Sequence, residues 1–115
     1  MDTPTTLEQL FQHYETIAHL SGNMLKAARA EDWDTVIALQ QQYSALVDTL
    51  RPVYDRFSFD ASQRTRRDAL LRRILSDEAE VREHAAPRLA RLSALVASSR
   101  QTQALQKTYG LSRRG

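Results

Sequence analysis

The feature that most constrains the fold is a long stripe of mostly apolar residues in the second half of the chain. Its members are spaced three or four positions apart: Leu71, Ile74, Glu78, Val81, Ala85, Leu89, Leu92 and Val96. This spacing is the repeat of one face of an α-helix. A stripe of this length has to be covered by other apolar surface. The sequence therefore predicts a helical protein whose remaining helices pack against this segment.

Two prolines interrupt the helical patterns. An interior proline lacks the backbone N–H donor and destabilises a helix by about 3 kcal/mol. The apolar phase continues past Pro87, which favours one long, kinked helix, with two helices joined at His84–Ala86 as the alternative. At Pro52 the pattern predicts either a bend near Asp48–Arg51 or the end of the helix there.

The composition favours an all-α protein with one domain. The 115 residues include only three glycines, three prolines and no cysteine, which leaves few turn residues and no disulfide. We predict a small antiparallel helical bundle, one domain over 1–115, with three long helices and a short C-terminal helix. The predicted helices cover about 6–29, 32–57, 61–97 and 100–109, with a break at Ser98–Ser99 and a frayed tail over 111–115.

Local signals support three of the helix starts. Thr5–Glu8 fits a capping box in which Glu8 reaches back, Asp32 is a good N-cap, and Asp60 with Gln63 fits a second capping box. The short connection before Asp32 predicts an antiparallel hairpin, with Trp33 in the core at its closed end. Gly22 either permits the close approach of another helix or is merely tolerated.

The sequence carries no motif that predicts catalysis, a cofactor or a small-molecule substrate. His13, His19 and His84 lack metal-ligand spacing, and no glycine-rich phosphate loop is present. We therefore predict a protein that is not an enzyme and binds no metal. No apolar run approaches the roughly 20 residues of a membrane span, so no membrane insertion is expected.

What remains is surface that could bind a partner. The net charge is only +2, but five arginines crowd the region Arg64–Arg73. A charged helix surface is the preferred interpretation, with a site for an acidic protein partner as the second. The apolar stripes are wider than a three-helix packing needs, which suggests a partner helix or a homodimer contact. A dimerising structural module and a nucleic-acid-associated helical protein are the alternatives in other functional classes.

Several motifs along nearly the whole chain together resemble one family. They are Tyr14, Ser21–Ala28, Asp32–Trp33, Leu70–Leu75, Val81–Arg82, Pro87–Leu92 and Tyr109–Gly110. In this order they are similar to the FliT-type flagellar export chaperones. The resemblance implies a cytoplasmic protein that binds the C-terminal segment of the filament-cap protein FliD and hands it to the export ATPase and gate components. In enteric members it also implies binding of the master regulator FlhDC, although the prolines and the arginine-rich third helix depart from the enteric pattern.

The resemblance also implies that the last helix covers the partner site. Leu105 and Tyr109 would be its docking residues. The predicted mechanism is competitive docking, in which an amphipathic cargo segment displaces this cover from an apolar groove. The predicted groove residues lie on the second and third helices: Tyr43, Leu50, Ile74, Val81 and Leu89.

Overall fold

The computed structural model describes the backbone of residues 3–114 and the side chains of residues 3–101. Its elements are α1 (Leu7–Arg29), α2 (Trp33–Leu50), a 3₁₀ turn (Tyr54–Arg56) and α3 (Ala61–Arg114). Within these residues the protein is helical and contains no strand, which confirms the predicted all-α class. The chain divides into two compact units, Met1–Arg82 and Glu83–Gly115, and α3 contributes to both. The assignment of 1–115 to one domain remains a prediction.

Helix α1 begins with a side-chain cap that differs in one residue from the prediction. The Thr6 hydroxyl oxygen accepts a hydrogen bond from the Gln9 backbone N–H at 3.2 Å. The Gln9 side-chain oxygen in turn accepts from the Thr5 backbone N–H at 2.8 Å. Gln9 therefore takes the place predicted for Glu8, because it is the residue three positions after the cap.

Helix α1 ends in a tight reversal at Glu31. The Asp32 N–H donates to the Ala27 carbonyl at 2.9 Å, and the Glu31 N–H donates to the Ala28 carbonyl at 3.0 Å. This pair of bonds is the Schellman motif, which requires a left-handed residue after the helix. Glu31 supplies it with φ of 58°, a position that usually favours glycine.

Helix α2 starts at the predicted cap and ends earlier than predicted. Asp32 accepts a hydrogen bond from the Thr35 N–H at 3.3 Å. The helix stops at Leu50, so the predicted range 32–57 is too long, and the alternative of an end near Pro52 is confirmed. The Val53 N–H then donates to the Leu50 carbonyl at 3.0 Å, which turns the chain away from the helix axis.

Helix α3 opens with the predicted capping box. Asp60 accepts from the Gln63 N–H at 2.8 Å, and the Gln63 side chain accepts from the Asp60 N–H at 3.0 Å. The helix continues past Pro87, which confirms one helix rather than two. Pro87 has no N–H to donate to the carbonyl of Glu83, the first residue of the second unit.

The predicted break at Ser98–Ser99 is absent. Helix α3 extends to Arg114, so the third helix does not end at 97, and no separate helix covers 100–109. The range predicted as a frayed tail also begins within α3. The physical reason is that serine lowers helix propensity only modestly, whereas glycine and proline lower it strongly.

The core of the first unit lies around α1. One cluster joins α1 to α2 and to the start of α3 through nine buried residues: Leu10, Phe11, Tyr14, Ile17, Ala18, Leu20, Leu46, Leu50 and Ile74. A second, smaller cluster at the closed end of the hairpin contains Ala27, Ala28 and Val36. Trp33 packs against this second cluster, as predicted. Among the described residues, no helix combines the length and apolarity that a bilayer crossing requires.

The acidic residues near the middle of α3 hold it to α1. The Ser21 hydroxyl oxygen lies 3.0 Å from Asp77 Oδ2, and Arg29 forms an ion pair with Glu80 at 2.6 Å. Alternating acidic and basic residues in this part of α3 are typical of a solvated helix face. Asp77 and Glu80 are instead only partly exposed, because they meet polar groups of α1.

Candidate partner-binding groove

An open apolar groove of about 350 Å³ lies in the first unit. Its walls come from α1, α2, the 3₁₀ turn and the first part of α3. The lining residues are Tyr14, Ile17, Tyr43, Val47, Leu50, Arg51, Tyr54, Leu71, Ile74 and Leu75. Nine of these ten residues are tyrosines or aliphatic residues, and only Arg51 carries a charge. Tyr43 is half-buried. The groove therefore suits apolar side chains of a ligand.

The groove has a buried floor and an exposed rim. Leu50 and Ile74 are only 6% and 4% exposed, and both belong to the main core cluster. Leu75 and Tyr54 are 60% and 51% exposed, which is unusual for large apolar side chains on a small domain. Substitutions at the rim can therefore test binding without removing the core.

The early end of α2 places Tyr54 at this rim. Pro52 has no N–H to continue the helical hydrogen bonds, so α2 stops and a 3₁₀ turn follows. Val53 enters the core at 7% exposure, while the next residue, Tyr54, lines the groove. In a continuous helix, the side chains of Val53 and Tyr54 would project about 100° apart around one helix axis. The turn instead buries Val53 in the core and leaves Tyr54 at the groove.

Three tyrosines, Tyr14, Tyr43 and Tyr54, bring hydroxyl groups to the groove. Burial raises the pKa of Tyr43, and the neighbouring Glu78 carboxylate raises it further. Burial also raises the pKa of Tyr14, and the positive charge of Arg67 opposes that rise. The Tyr14 and Tyr43 hydroxyls therefore stay protonated near neutral pH, and the Tyr43 hydroxyl donates its proton to the Glu78 carboxylate.

The groove offers recognition rather than a reactive site. Among the described side chains, no group of three His, Asp or Glu residues could hold a metal ion. The nearest charge is Arg51, which lies 3.6 Å from Asp48 in an exposed ion pair. A pair of this kind contributes little to stability and leaves the apolar surface as the main source of binding energy.

The structure brings some of the predicted groove residues together and separates others. Tyr43, Leu50 and Ile74 line the same groove. Val81 packs instead against the second core cluster, and Leu89 belongs to the second unit, where it is 60% exposed. The predicted cover residues Leu105 and Tyr109 lie outside the described side chains.

Sequence reasoning missed the exposed rim. The groove residues predicted from the sequence include neither Leu75 nor Tyr54. The available signal was that Leu75 is apolar but lies off the main stripe of Leu71, Ile74 and Val81. A large apolar residue beside a core stripe is typical of the edge of a groove.

The basic patch at the start of α3 makes contacts within the chain. Arg66 forms an ion pair with Glu15, and its guanidinium lies 4.3 Å from the centre of the Phe11 ring. The Arg67 guanidinium lies 4.8 Å from the centre of the Phe59 ring. These cation–π contacts help to attach α3 to the rest of the first unit.

Fold and groove together define a small helical protein with an open apolar binding surface, and the comparisons identify its family. The family described as flagellar protein FliT matches residues 11–111. Flagellar protein FliT of Yersinia pseudotuberculosis serotype O:3 is 35% identical over 104 residues, which cover 90% of this chain and 86% of that relative. A relative of the same description from Yersinia pestis is 33% identical over the same length.

A solved structure agrees with the sequence comparisons. The crystal structure of flagellar protein FliT from Bordetella bronchiseptica superposes with a TM-score of 0.64 and 43% sequence identity. The alignment covers 73% of this chain and 95% of that chain. The chain belongs to the FliT family of flagellar proteins, which supports a role in the flagellum.

Proposed function

We propose that this protein is a cytoplasmic flagellar export chaperone that binds the C-terminal segment of the filament-cap protein FliD. In this proposal it then delivers FliD to the export ATPase and gate components. The observation that carries the proposal is the apolar groove lined by Tyr43, Leu50 and Ile74 in a member of the FliT family. An amphipathic cargo segment would bury its apolar side chains there, with Leu75 and Tyr54 closing over them.

The test is calorimetric titration of the FliD C-terminal segment, from the same organism, into the full-length protein. Leu75→Gln is the test variant, because Leu75 lines the groove and is 60% exposed. Ile37→Gln is the matched control, because Ile37 is 54% exposed on α2 and does not line the groove. We expect Leu75→Gln to weaken binding about tenfold and Ile37→Gln to leave it unchanged. Absence of binding to the unmodified protein would reject the chaperone role, whereas equal effects of both variants would reject only the groove.

The proposed cover needs its own variant. Because α3 passes through Ser98 without a break, truncation there would cut a helix, and substitution is the cleaner change. We expect the double substitution Leu105→Ala and Tyr109→Ala to raise the affinity for the FliD segment, since the cover competes with cargo. Unchanged affinity would be consistent with the chaperone role and would reject the cover.

The proposal of FlhDC binding rests on the family resemblance. A promoter-binding assay with purified FlhDC tests it.

A further inference from the structure

The second unit presents an apolar seam on α3, formed by residues that do not line the groove. Leu89, Leu92 and Val96 are 60%, 46% and 51% exposed. They line one shallow concavity together with Ser93, Ala97 and Arg100. Their spacing of three and four residues matches the a and d positions of a heptad repeat, which are the positions that meet a partner helix.

The charges around this seam have one sign. From His84 to the end of the chain the sequence contains no aspartate or glutamate, and its basic residues are Arg88, Arg91, Arg100, Lys107, Arg113 and Arg114. With Leu89 and Val96 at a and Leu92 at d, Arg100 falls at an e position. Residues at e and g pair with charges on the facing helix and thereby select the partner. The complementary partner is therefore acidic at the positions that flank its own apolar seam.

The composition of the seam favours a partner helix over a membrane surface. A helix that lies on a bilayer buries a broad apolar face, usually with aromatic residues, and residues 83–101 contain no Phe, Tyr or Trp. Leu95 at the g position is 66% exposed and widens the seam on one side. The e positions on the other side are Ser93 and Arg100, which are polar. A second copy of this chain would set two basic helices side by side, with no acidic residue after Glu83 to neutralise either one.

We propose that Leu89, Leu92 and Val96 form a docking surface for an acidic amphipathic helix of a partner protein. The surface lies on other residues than the groove, so it would serve a second partner and does not depend on the proposed binding of FliD. Arg100, which lines the concavity, would pair with an acidic side chain of that helix. The affinity should therefore fall as salt concentration rises.

The experiment uses two labelled synthetic helices and the full-length protein. Each probe has about four heptads with isoleucine at a and leucine at d, and one carries glutamate at e and g where the other carries lysine. Fluorescence anisotropy should show that the glutamate probe binds at least about tenfold more tightly than the lysine probe. Equal binding of the two probes would overturn the proposal, because the charge pattern would then select nothing.

Variants separate the seam from the rest of the helix. Leu92→Gln with Val96→Gln should weaken binding of the glutamate probe about tenfold or more. The matched control is Ala94→Gln, which is exposed on the opposite side of the same helix and should have no effect. Arg100→Glu should weaken binding of the glutamate probe and reduce its advantage over the lysine probe. Circular dichroism confirms that each variant is folded, and Leu75→Gln should bind the probe normally because it changes only the groove.

Two results would assign the seam to another occupant and overturn the proposal. One is binding to phosphatidylglycerol vesicles, lost in the Leu92→Gln and Val96→Gln protein, without binding to the glutamate probe. The other is a concentration-dependent dimer in sedimentation that the same substitutions abolish. Either result together with no binding of the glutamate probe would exclude an acidic helix.

Discussion

Ser21 and Asp77 join the first and third helices through a polar contact at the edge of the core. The Ser21 hydroxyl oxygen lies 3.0 Å from Asp77 Oδ2 and 2.9 Å from the Ala18 carbonyl oxygen, so its single proton can serve either acceptor. Ser21 is 1% exposed, and the carboxylate of Asp77 is the only charged group that contacts it among the described hydrogen bonds. The two residues are 56 positions apart in sequence and lie on different helices. The contact therefore favours one face of α3 toward α1.

Removal of this hydroxyl should destabilise the protein. We expect Ser21→Ala to lower the free energy of unfolding by about 1 kcal/mol, since Asp77 loses a hydrogen-bond donor in a partly buried position. Urea unfolding measures the change. Ser76→Ala is the control, because Ser76, the residue before Asp77, is exposed. Its free energy of unfolding should stay within about 0.5 kcal/mol of that of the unmodified protein. A loss of equal size in both variants would show that the contact contributes nothing specific.

Substitution of Gly22, the next residue, with alanine should stabilise the protein. A Cβ atom there would lie 3.5 Å from the Arg73 guanidinium and 3.9 Å from Asp77 Oδ2, which is ordinary van der Waals contact. Its φ is not positive, so no left-handed conformation requires glycine. We expect Gly22→Ala to raise the free energy of unfolding by about 0.5–1 kcal/mol through helix propensity. Gly22→Val should forfeit the gain, and a destabilised alanine variant would show that the helices need the closer approach.

Glu31 presents the opposite case, because its backbone does require a left-handed conformation. Its φ of 58° costs a residue with a Cβ atom more than it costs glycine. We expect Glu31→Gly to stabilise the protein by about 0.5–1 kcal/mol, measured by thermal unfolding. Glu31→Ala is the control and should give no such gain, since alanine retains the Cβ atom. Equal stabilisation by both would attribute the effect to the lost charge.

Ile74 and Leu75 should respond differently to the same substitution. Ile74 is 4% exposed in the core, whereas Leu75 is 60% exposed at the rim of the groove. We expect Ile74→Ala to lower the free energy of unfolding by about 2–4 kcal/mol and Leu75→Ala by less than about 1 kcal/mol. Chemical denaturation of both variants checks the difference. A large loss at Leu75 would mean that it belongs to the core and cannot report on binding.

The helices could be predicted from sequence where local residues determine them. The caps at Asp32 and Asp60 and the apolar repeats are short-range signals, and the structure confirms them. The predicted break at Ser98–Ser99 is wrong, because two serines are only a weak signal for the end of a helix. The hydrogen bonds of a helix can continue through them. The end of α2 stayed open as one of two alternatives, since Pro52 permits either a bend or a stop.

The groove could be predicted only in part, because periodicity locates a face and not what covers that face. Ile74, Val81 and Leu89 fall on one stripe of α3, yet they have three different surroundings. Ile74 joins the main core, Val81 joins the cluster beside Trp33, and Leu89 belongs to the second unit. Which residues the α1–α2 hairpin reaches depends on the lengths of those helices in three dimensions. The sequence pattern of α3 does not contain that information.

The ionisation of Tyr43 predicts how stability depends on alkaline pH. Burial, and then the Glu78 carboxylate, raise the pKa of Tyr43 above its ordinary value of 10.0. Between the unfolded and folded pKa values the folded protein holds a proton that the unfolded chain has released. The stabilisation is therefore complete below pH 10 and is lost as the pH rises toward the folded pKa.

Substitution with phenylalanine tests this linkage directly. We expect the free energy of unfolding of Tyr43→Phe to fall less steeply above pH 10 than that of the unmodified protein, because phenylalanine has no proton to lose. Urea unfolding at a series of pH values measures the slope. Tyr14→Phe should give a similar but separate effect, since burial also raises the pKa of Tyr14. If Tyr43→Phe leaves the alkaline slope unchanged, then Tyr43 ionises equally easily in the folded and unfolded chain, and the Glu78 carboxylate does not act on it.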